Sequence, residues 1–413
     1  MLKKCIPKIS TNRLDKEWKS YKLREYSNYR RGSFPQPYGN KEWYGGENAM
    51  PFVQVVDVLD NLQLVADTKQ KISALAQPLS VFVPSDSVIV TLQGSIGRVA
   101  VTQYDAYVDR TILVFENYIL KTNKDFWAYV IQNKFEIERQ KAPGGTIKTI
   151  TKESLSDFKV SIPDYMEQSA IGSLFRTLDD LLASYKDNLA NYQFLKATML
   201  SKMLPKAGQT VPEIRLEGFE GEWENIRLGD CAIIKGRLGW KSLKQEEYTE
   251  VGPSMIAGKH IKNGVIDWGE VDHIPQWRYD ESPDIMLEEG DIIFSKDGSL
   301  GNPALVSNLK GEATINSTMM LVRLDKEVSS QFFYHILTSS VFQKLIYLKV
   351  SGSSIPHLFQ ADMQDFNFYA PSIEEQQAIG TYFSNLDNLI NSYQEKISQL
   401  ETLKKKLLQD MFI

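Results

Sequence analysis

A chain of 413 residues that is 42% hydrophobic and 24% charged has the composition of a folded protein and too much sequence for one ordinary core. No apolar run approaches the roughly 18 residues that cross a bilayer, and Met1-Leu2-Lys3-Lys4 leads into nothing like an export signal, so a cytoplasmic protein without membrane contact is expected. Cys5 and Cys231 are too isolated for a disulfide framework, four scattered histidines have no zinc spacing, and the net charge of −5 hides a basic first part, since residues 1–160 hold 23 Lys+Arg against 17 Asp+Glu.

In chain order, binding chemistry first appears in YRRGSFPQPYGNKEWY, residues 29–44. Arg30, Arg31 and Lys41 supply charge, and Ser33, Gln36 and Asn40 supply hydroxyl and amide groups beside Trp43 and Tyr44. Guanidinium and amide groups read base edges bidentately, so the stretch is expected to be a mobile loop that touches DNA. Two β runs around a glycine turn follow in SVIVTLQGSIGRVAVT, 87–102, where Ser95 and Arg98 stand in a turn whose backbone N–H groups can approach a phosphate. FWAYVIQNKFEIERQ, 126–140, has helical periodicity, and PGGTIK, 143–148, adds Gly145, Thr146 and Lys148 as candidates. Each stretch also has a plain structural reading, as a hairpin turn or a solvated surface loop.

A long helix is expected over 163–204, started by Pro163 and carrying Ile171, Phe175, Leu178, Leu182, Tyr185, Leu189, Tyr192, Leu195, Met199 and Met203 as an apolar seam. Pro205, Gly208 and Pro212 mark a linker over 205–215. A second globular region, 216–370, carries KGRLGWKSLK at 235–244, with Lys235, Arg237, Trp240, Lys241 and Lys244 as a local basic patch. Two further β runs surround KDGSLG at 296–301, with Lys296 and Ser299; FFYHILTSSVFQKLIYL, 332–348, reads as helix; and SGSSIPH, 351–357, offers Ser353, Ser354 and His357. The chain closes on a second long helix, 371–413, whose Ile379, Phe383, Leu386, Ile390, Tyr393, Ile397 and Leu400 alternate steps of four and three. Leu403, Leu407 and Met411 continue that seam after a small phase change.

These elements come twice. At an offset of 208, Pro163, Glu167-Gln168, Ala170-Ile171-Gly172, Phe175, Asp179, Ser184-Tyr185, Leu195-Lys196 and Met203 match Pro371, Glu375-Gln376, Ala378-Ile379-Gly380, Phe383, Asp387, Ser392-Tyr393, Leu403-Lys404 and Met411. Self-similarity on this scale signals repeated architecture. The expected fold is α+β: globular α/β regions over 1–162 and 216–370, and two long helices that pair antiparallel as a coiled coil, giving a pseudo-two-fold repeat with the globular regions at opposite ends. The two frames agree, but 30–46 and 235–252 share almost nothing.

Catalytic signatures are missing. Gly252 to Lys259 lacks the spacing of a phosphate loop, Asn302-Pro303 is followed by Ala304-Leu305 where base amino-methylation needs Pro and an aromatic, and Pro283-Asp284 with Glu288 and Glu289 lacks the lysine of a nuclease.

Glu-Gln-x-Ala-Ile-Gly-x-x-Phe followed by Leu-Asp on both long helices, with Phe-x-Gly-Glu-Trp-x-x-x-x-Leu-Gly at 219–229, resembles the specificity subunit of type I restriction-modification enzymes over essentially the whole chain. Leu14-Asp15-Lys16-Glu17-Trp18 departs from the pattern, lacking the equivalent of Phe219-x-Gly221. The resemblance implies that each globular region is a target recognition domain and each helix a spacer, in a non-catalytic subunit without a cofactor of its own. It implies as partners double-stranded DNA with a bipartite, asymmetric target, two methyltransferase subunits that use S-adenosylmethionine on adenine, and two motor-nuclease restriction subunits that use ATP and Mg. Asp179, Asp180, Lys186, Asp387 and Gln394 on the outer helix faces are then candidate docking residues. The rival readings are an enzyme fused to such a repeat, for which the chain leaves no room, and an antirestriction-like or orphan scaffold that binds methyltransferase subunits without reading DNA.

Overall fold

The computed structural model describes residues 18–141, 155–206, 208–237, 243–298, 300–350 and 356–412. The main helices are α1 (Lys124–Lys141), α2 (Tyr165–Lys202), α3 (Ser330–Thr338), α4 (Ser340–Val350) and α5 (Ile373–Met411). The chain divides into two compact units, Met1–Ser184 with Ile397–Ile413, and Tyr185–Lys396, so each long helix gives one end to each unit.

In the first unit, strand Lys19–Lys22 pairs antiparallel with Lys159–Ile162 just before α2 begins. A four-stranded antiparallel sheet has the order Ser27–Arg31, Ile112–Tyr118, Val88–Thr91, Val99–Val101. Its central residues are apolar on both faces, as a sheet covered on both sides requires. Val88, Val90, Leu113 and Phe115 meet Phe126, Trp127, Val130 and Ile131 of α1. Ile89, Ala100, Ile112 and Val114 face a second, smaller sheet through Val53, Val83 and Val108. In that smaller sheet Phe52 and Val53 run parallel to Tyr107 and Val108.

The second unit repeats the plan. Glu224–Arg227 pairs with Asn367–Ala370, and a four-stranded sheet has the order Ala232–Gly236, Met319–Leu324, Ile292–Ser295, Gly301–Leu305. Ile292, Phe294, Met320 and Val322 pack on α3 and α4, while Ile293, Ala304, Met319 and Leu321 face Ile256 and Ile315 of the smaller sheet. The expected helix over 332–348 is two helices. Ser339 ends α3 with its N–H on the Ile336 carbonyl at 3.1 Å, and its hydroxyl accepts the Val341 N–H at 3.2 Å to start α4.

Within each unit the two long-helix segments run antiparallel. In the first, Phe412 lies 6.0 Å from Phe175, and Lys404 pairs with Asp179 at 2.5 Å. In the second, Tyr393 lies 5.5 Å from Tyr192, and Lys196 pairs with Asp387 at 2.5 Å. The seam differs from expectation at one place in each helix. Leu195 and Leu403 are exposed, and the neighbouring Lys196 and Lys404 take the inward position. With the lysines counted, Leu189, Tyr192, Lys196, Met199, Met203 and Ile397, Leu400, Lys404, Leu407, Met411 keep alternating steps of three and four, so no phase change is needed.

Candidate nucleic-acid interface

The repeated Glu-Gln-x-Ala-Ile-Gly motif joins each sheet-bearing region to its long helix. Gln168 is buried; its carbonyl accepts the Asn123 N–H at 3.0 Å and its amide donates to the Pro163 carbonyl at 3.0 Å. Asn123 in turn caps α1, accepting the Phe126 N–H at 2.9 Å. Gln376 does the same in the second unit, accepting the Ser329 N–H at 2.9 Å and donating to the Pro371 carbonyl at 2.9 Å. Both glycines serve the close approach that results. A Cβ on Gly172 would lie 2.8 Å from the Phe126 nitrogen, and one on Gly380 would lie 2.8 Å from Gln331 Cβ. The glutamates anchor what precedes the sheets: Glu167 accepts the Trp18 indole N–H at 3.1 Å, and Glu375 takes Arg215, which also holds the Gly221 and Glu220 carbonyls.

Two turns further along each long helix sits a three-membered polar cluster. Asp179 accepts both Lys404 and the Tyr129 hydroxyl, the latter at 2.6 Å, and burial with this carboxylate pushes the phenol pKa well up. In the second unit Asp387 accepts Lys196, and His335 stands where Tyr129 does, its Nδ1 3.9 Å from the carboxylate. Burial, reinforced by Lys196, pushes the His335 pKa down to about 3. Asp179 and Asp387, expected on outer faces, therefore point inward as anchors. Asp180 and Lys186 are exposed, and Gln394 accepts the Asn263 amide at 2.9 Å.

The residues between 29 and 44 are not a loose loop. Arg30 lies in a strand and pairs with Glu116 at 2.5 Å. Phe34 stacks on Tyr38 and Tyr44 at 5.1 and 5.4 Å and packs on Phe52 at 4.6 Å, so the stretch carries its own aromatic core with Ile72 and Ala76. That framework leaves Arg31, Gln36 and Lys41 exposed, while Asn40 caps the Glu42 N–H and Ser33 donates to the Leu79 carbonyl. Ser95 is exposed on its turn. Arg98 is tied inward, to Asp60 at 2.9 Å and to the Val58 carbonyl at 3.4 Å, where it fastens the hairpin to the next loop.

In the second unit the basic patch is partly structural. Arg237 is a correction: its side chain is buried, donating to the Ile315 carbonyl at 3.1 Å and to Glu281 at 3.3 Å, which removes it from any surface. Burial lowers its pKa against the help of Glu281, and Arg278 extends the network from Glu281 to Glu247. Lys235 is half exposed near Asp284, and Lys244 is exposed. The fold brings two separate candidates together, since Asp297 pairs with both Lys296, at 3.1 Å, and His357, while the Leu358 N–H bonds the Lys296 carbonyl. Lys296 is mostly covered there, its stem running beside Gly236. Gly145, Thr146, Lys148, Trp240, Lys241, Ser299, Ser353 and Ser354 lie outside the described residues.

Sequence reasoning missed Arg110. It is exposed, with its guanidinium 5.3 Å from the centre of the Tyr38 ring. It stands alone between β runs, so no pattern in the sequence marks it. The acids near Pro283 are structural: Glu289 accepts the Asn308 and Leu309 N–H groups, and Glu288 pairs with Arg323. Among the described residues no group of His, Cys, Asp and Glu could hold a metal ion, and no helix is long and apolar enough to cross a membrane.

The family model described as type I restriction modification DNA specificity domain matches residues 15–191 and again 220–402. The type I restriction enzyme MjaVIII specificity subunit of Methanocaldococcus jannaschii is 20% identical over 288 residues, covering 68% of this chain and 67% of that protein. The EcoAI specificity subunit of Escherichia coli is 27% identical over 222 residues, 52% of this chain and 36% of that protein. The crystal structure of a type I restriction-modification S subunit from M. genitalium shares the fold, with a TM-score of 0.65 at 17% identity over 97% of this chain and 98% of that one.

Proposed function

We propose a mechanism from one premise: the chain belongs to the type I restriction-modification DNA specificity family, whose model matches it twice. It is the DNA sequence-recognition component and not the catalytic one. Each unit reads one half of a bipartite target, and because the modules differ at their edges the target is asymmetric. Base contacts specify and phosphate contacts position. Two methyltransferase subunits carrying S-adenosylmethionine are brought to an adenine in each half, and two motor-nuclease subunits using ATP and Mg join them for cleavage. Those partners bring much of the positive charge that a net −5 chain lacks.

The observation that carries this reading is one internal frame used twice with unlike edges. The first edge is an aromatic framework that exposes Arg31, Gln36 and Lys41. The second is a network running from the buried Arg237 through Glu281 and Arg278 to Glu247, with a Lys296–Asp297–His357 cluster.

Mapping methylated adenines in cells with and without the chain tests the reading directly. One split, asymmetric motif should appear with it and vanish without it, and methylation lacking sequence preference would favour the scaffold reading. Replacing Arg31 and Lys41 by alanine should weaken binding of the methyltransferase complex to the first half-site, and the salt dependence of log affinity should flatten by about one for each phosphate no longer bound. Unchanged affinity and slope would remove both residues from the interface.

A further inference from the structure

Asp109-Arg110-Thr111 joins strands Ala106–Val108 and Ile112–Tyr118 of the first unit, and Asn316-Ser317-Thr318 joins Ala313–Ile315 and Met319–Leu324 of the second. The two turns are built alike. Asp109 Oδ1 accepts the Thr111 N–H at 2.8 Å and its hydroxyl at 2.6 Å. Asn316 Oδ1 accepts the Thr318 N–H at 3.1 Å and its hydroxyl at 2.8 Å. Across each turn the third residue's carbonyl receives a strand N–H, from Leu92 at 2.7 Å and from Lys296 at 2.9 Å. Short polar side chains that bond their own backbone fix such turns locally. The first residue changes from Asp to Asn while keeping the same two bonds, and the middle residue changes from Arg to Ser.

Arg110 is held ready by its surroundings. Its guanidinium lies over Tyr38, whose hydroxyl donates to Asp109 Oδ2 at 2.5 Å and whose ring stacks on the buried Phe34. Burial and the Asp109 carboxylate push the Tyr38 pKa well up, so the phenol stays a donor and the platform stays locked. Gly32, beside the exposed Arg31, packs so closely on this turn that a Cβ would overlap the Asp109 carbonyl. Unlike Arg30, Arg98 and Arg237, Arg110 has no carboxylate partner among the described residues. A planar fork fixed on a ring loses little freedom on binding, and its two parallel N–H groups match guanine O6 and N7.

We infer that Arg110 is a base-reading residue of the first module, set to take a guanine in the major groove, and that the middle position of this turn is where the two modules are given different readers. The inference rests on the DNA recognition proposed above and names one of its contacts.

The test co-expresses the full chain with the methyltransferase subunit of its own system in a host free of other adenine methylation, and reads every methylated site by sequencing. The wild-type motif should contain a fixed guanine in one half. R110A and R110Q should both lower discrimination at that single position by about 5- to 150-fold, with the other half of the motif unchanged. Glutamine keeps a polar side chain on the turn but loses the guanidinium fork, and its bidentate match is adenine, so R110Q decides the matter where R110A lowers the unfolding midpoint. An unchanged motif in R110Q overturns the inference. A uniform loss of methylation with the motif intact does so too, since it would make Arg110 a phosphate contact. A wild-type chain that directs methylation without any motif sinks the DNA-readout proposal itself, a result distinct from either.

Discussion

At the scale of single residues, His335 and Tyr129 show one position solved in two ways. Tyr129 donates its hydroxyl to Asp179 at 2.6 Å, whereas His335 is buried with no hydrogen bond on either ring nitrogen. Lys196 and Asp387 are the charged groups that face it, and its folded pKa of about 3 lies below the ordinary 6.5. Below pH 6.5 the unfolded chain takes up a proton that the folded chain refuses, so stability falls with falling pH and the loss levels off only near pH 3. The slope from this one ring is about 1.4 kcal/mol per pH unit at its steepest. His335→Phe should remove about one proton from the pH dependence of unfolding between pH 6 and pH 5, above the range where most carboxylates titrate. Denaturant titrations at the two pH values measure it, and an equal slope in both proteins would mean that the ring is protonated in the fold.

At the scale of elements, the joint between long helix and sheet-bearing region was legible because its residues recur. Gln168, Gly172, Gln376 and Gly380 stood out in the sequence as a motif, and the structure explains each of them. The glutamines cap and clamp, and the glycines let α1 and α3 approach. Gly172→Ala and Gly380→Ala should each cost about 1–3 kcal/mol through overpacking against backbone that cannot withdraw. Urea unfolding midpoints would show it, and midpoints within error of wild type would mean the helix crossing has slack. The seam was legible except at Lys196 and Lys404, because a lysine in a heptad pattern reads as a solvated face until its aspartate is seen opposite. Surface chemistry was the least legible. Arg98 is answered by Asp60 and Arg237 by Glu281, carboxylates 38 and 44 positions away in sequence, so which cations remain free depends on tertiary pairing that local pattern does not contain. Arg110 is the converse case, a cation that local pattern ignored and the fold leaves available.

At the scale of the whole molecule, the two ion pairs bear on the spacing of the proposed bipartite target. Asp179 and Lys196 are 17 positions apart on α2, and Asp387 and Lys404 are 17 positions apart on α5. Equal spacing lets both pairs form at once, and a polar contact in an apolar seam specifies register and orientation. Lengthening one helix alone must leave one pair unmatched, which strands two partly covered charges in the seam and destabilises it. Seven residues inserted after Asn188 only should therefore lower the unfolding midpoint and abolish site-specific methylation. Seven inserted after Asn188 and seven after Lys396 together keep the heptad phase and both pairs. If the helices are the ruler of the proposed bipartite target, the double insertion adds about 10 Å of rise and lengthens the preferred spacer by about three base pairs. Methylation mapping of the two variants reads the spacer directly. A folded double-insertion protein that still marks the original spacing would show that something other than helix length sets it.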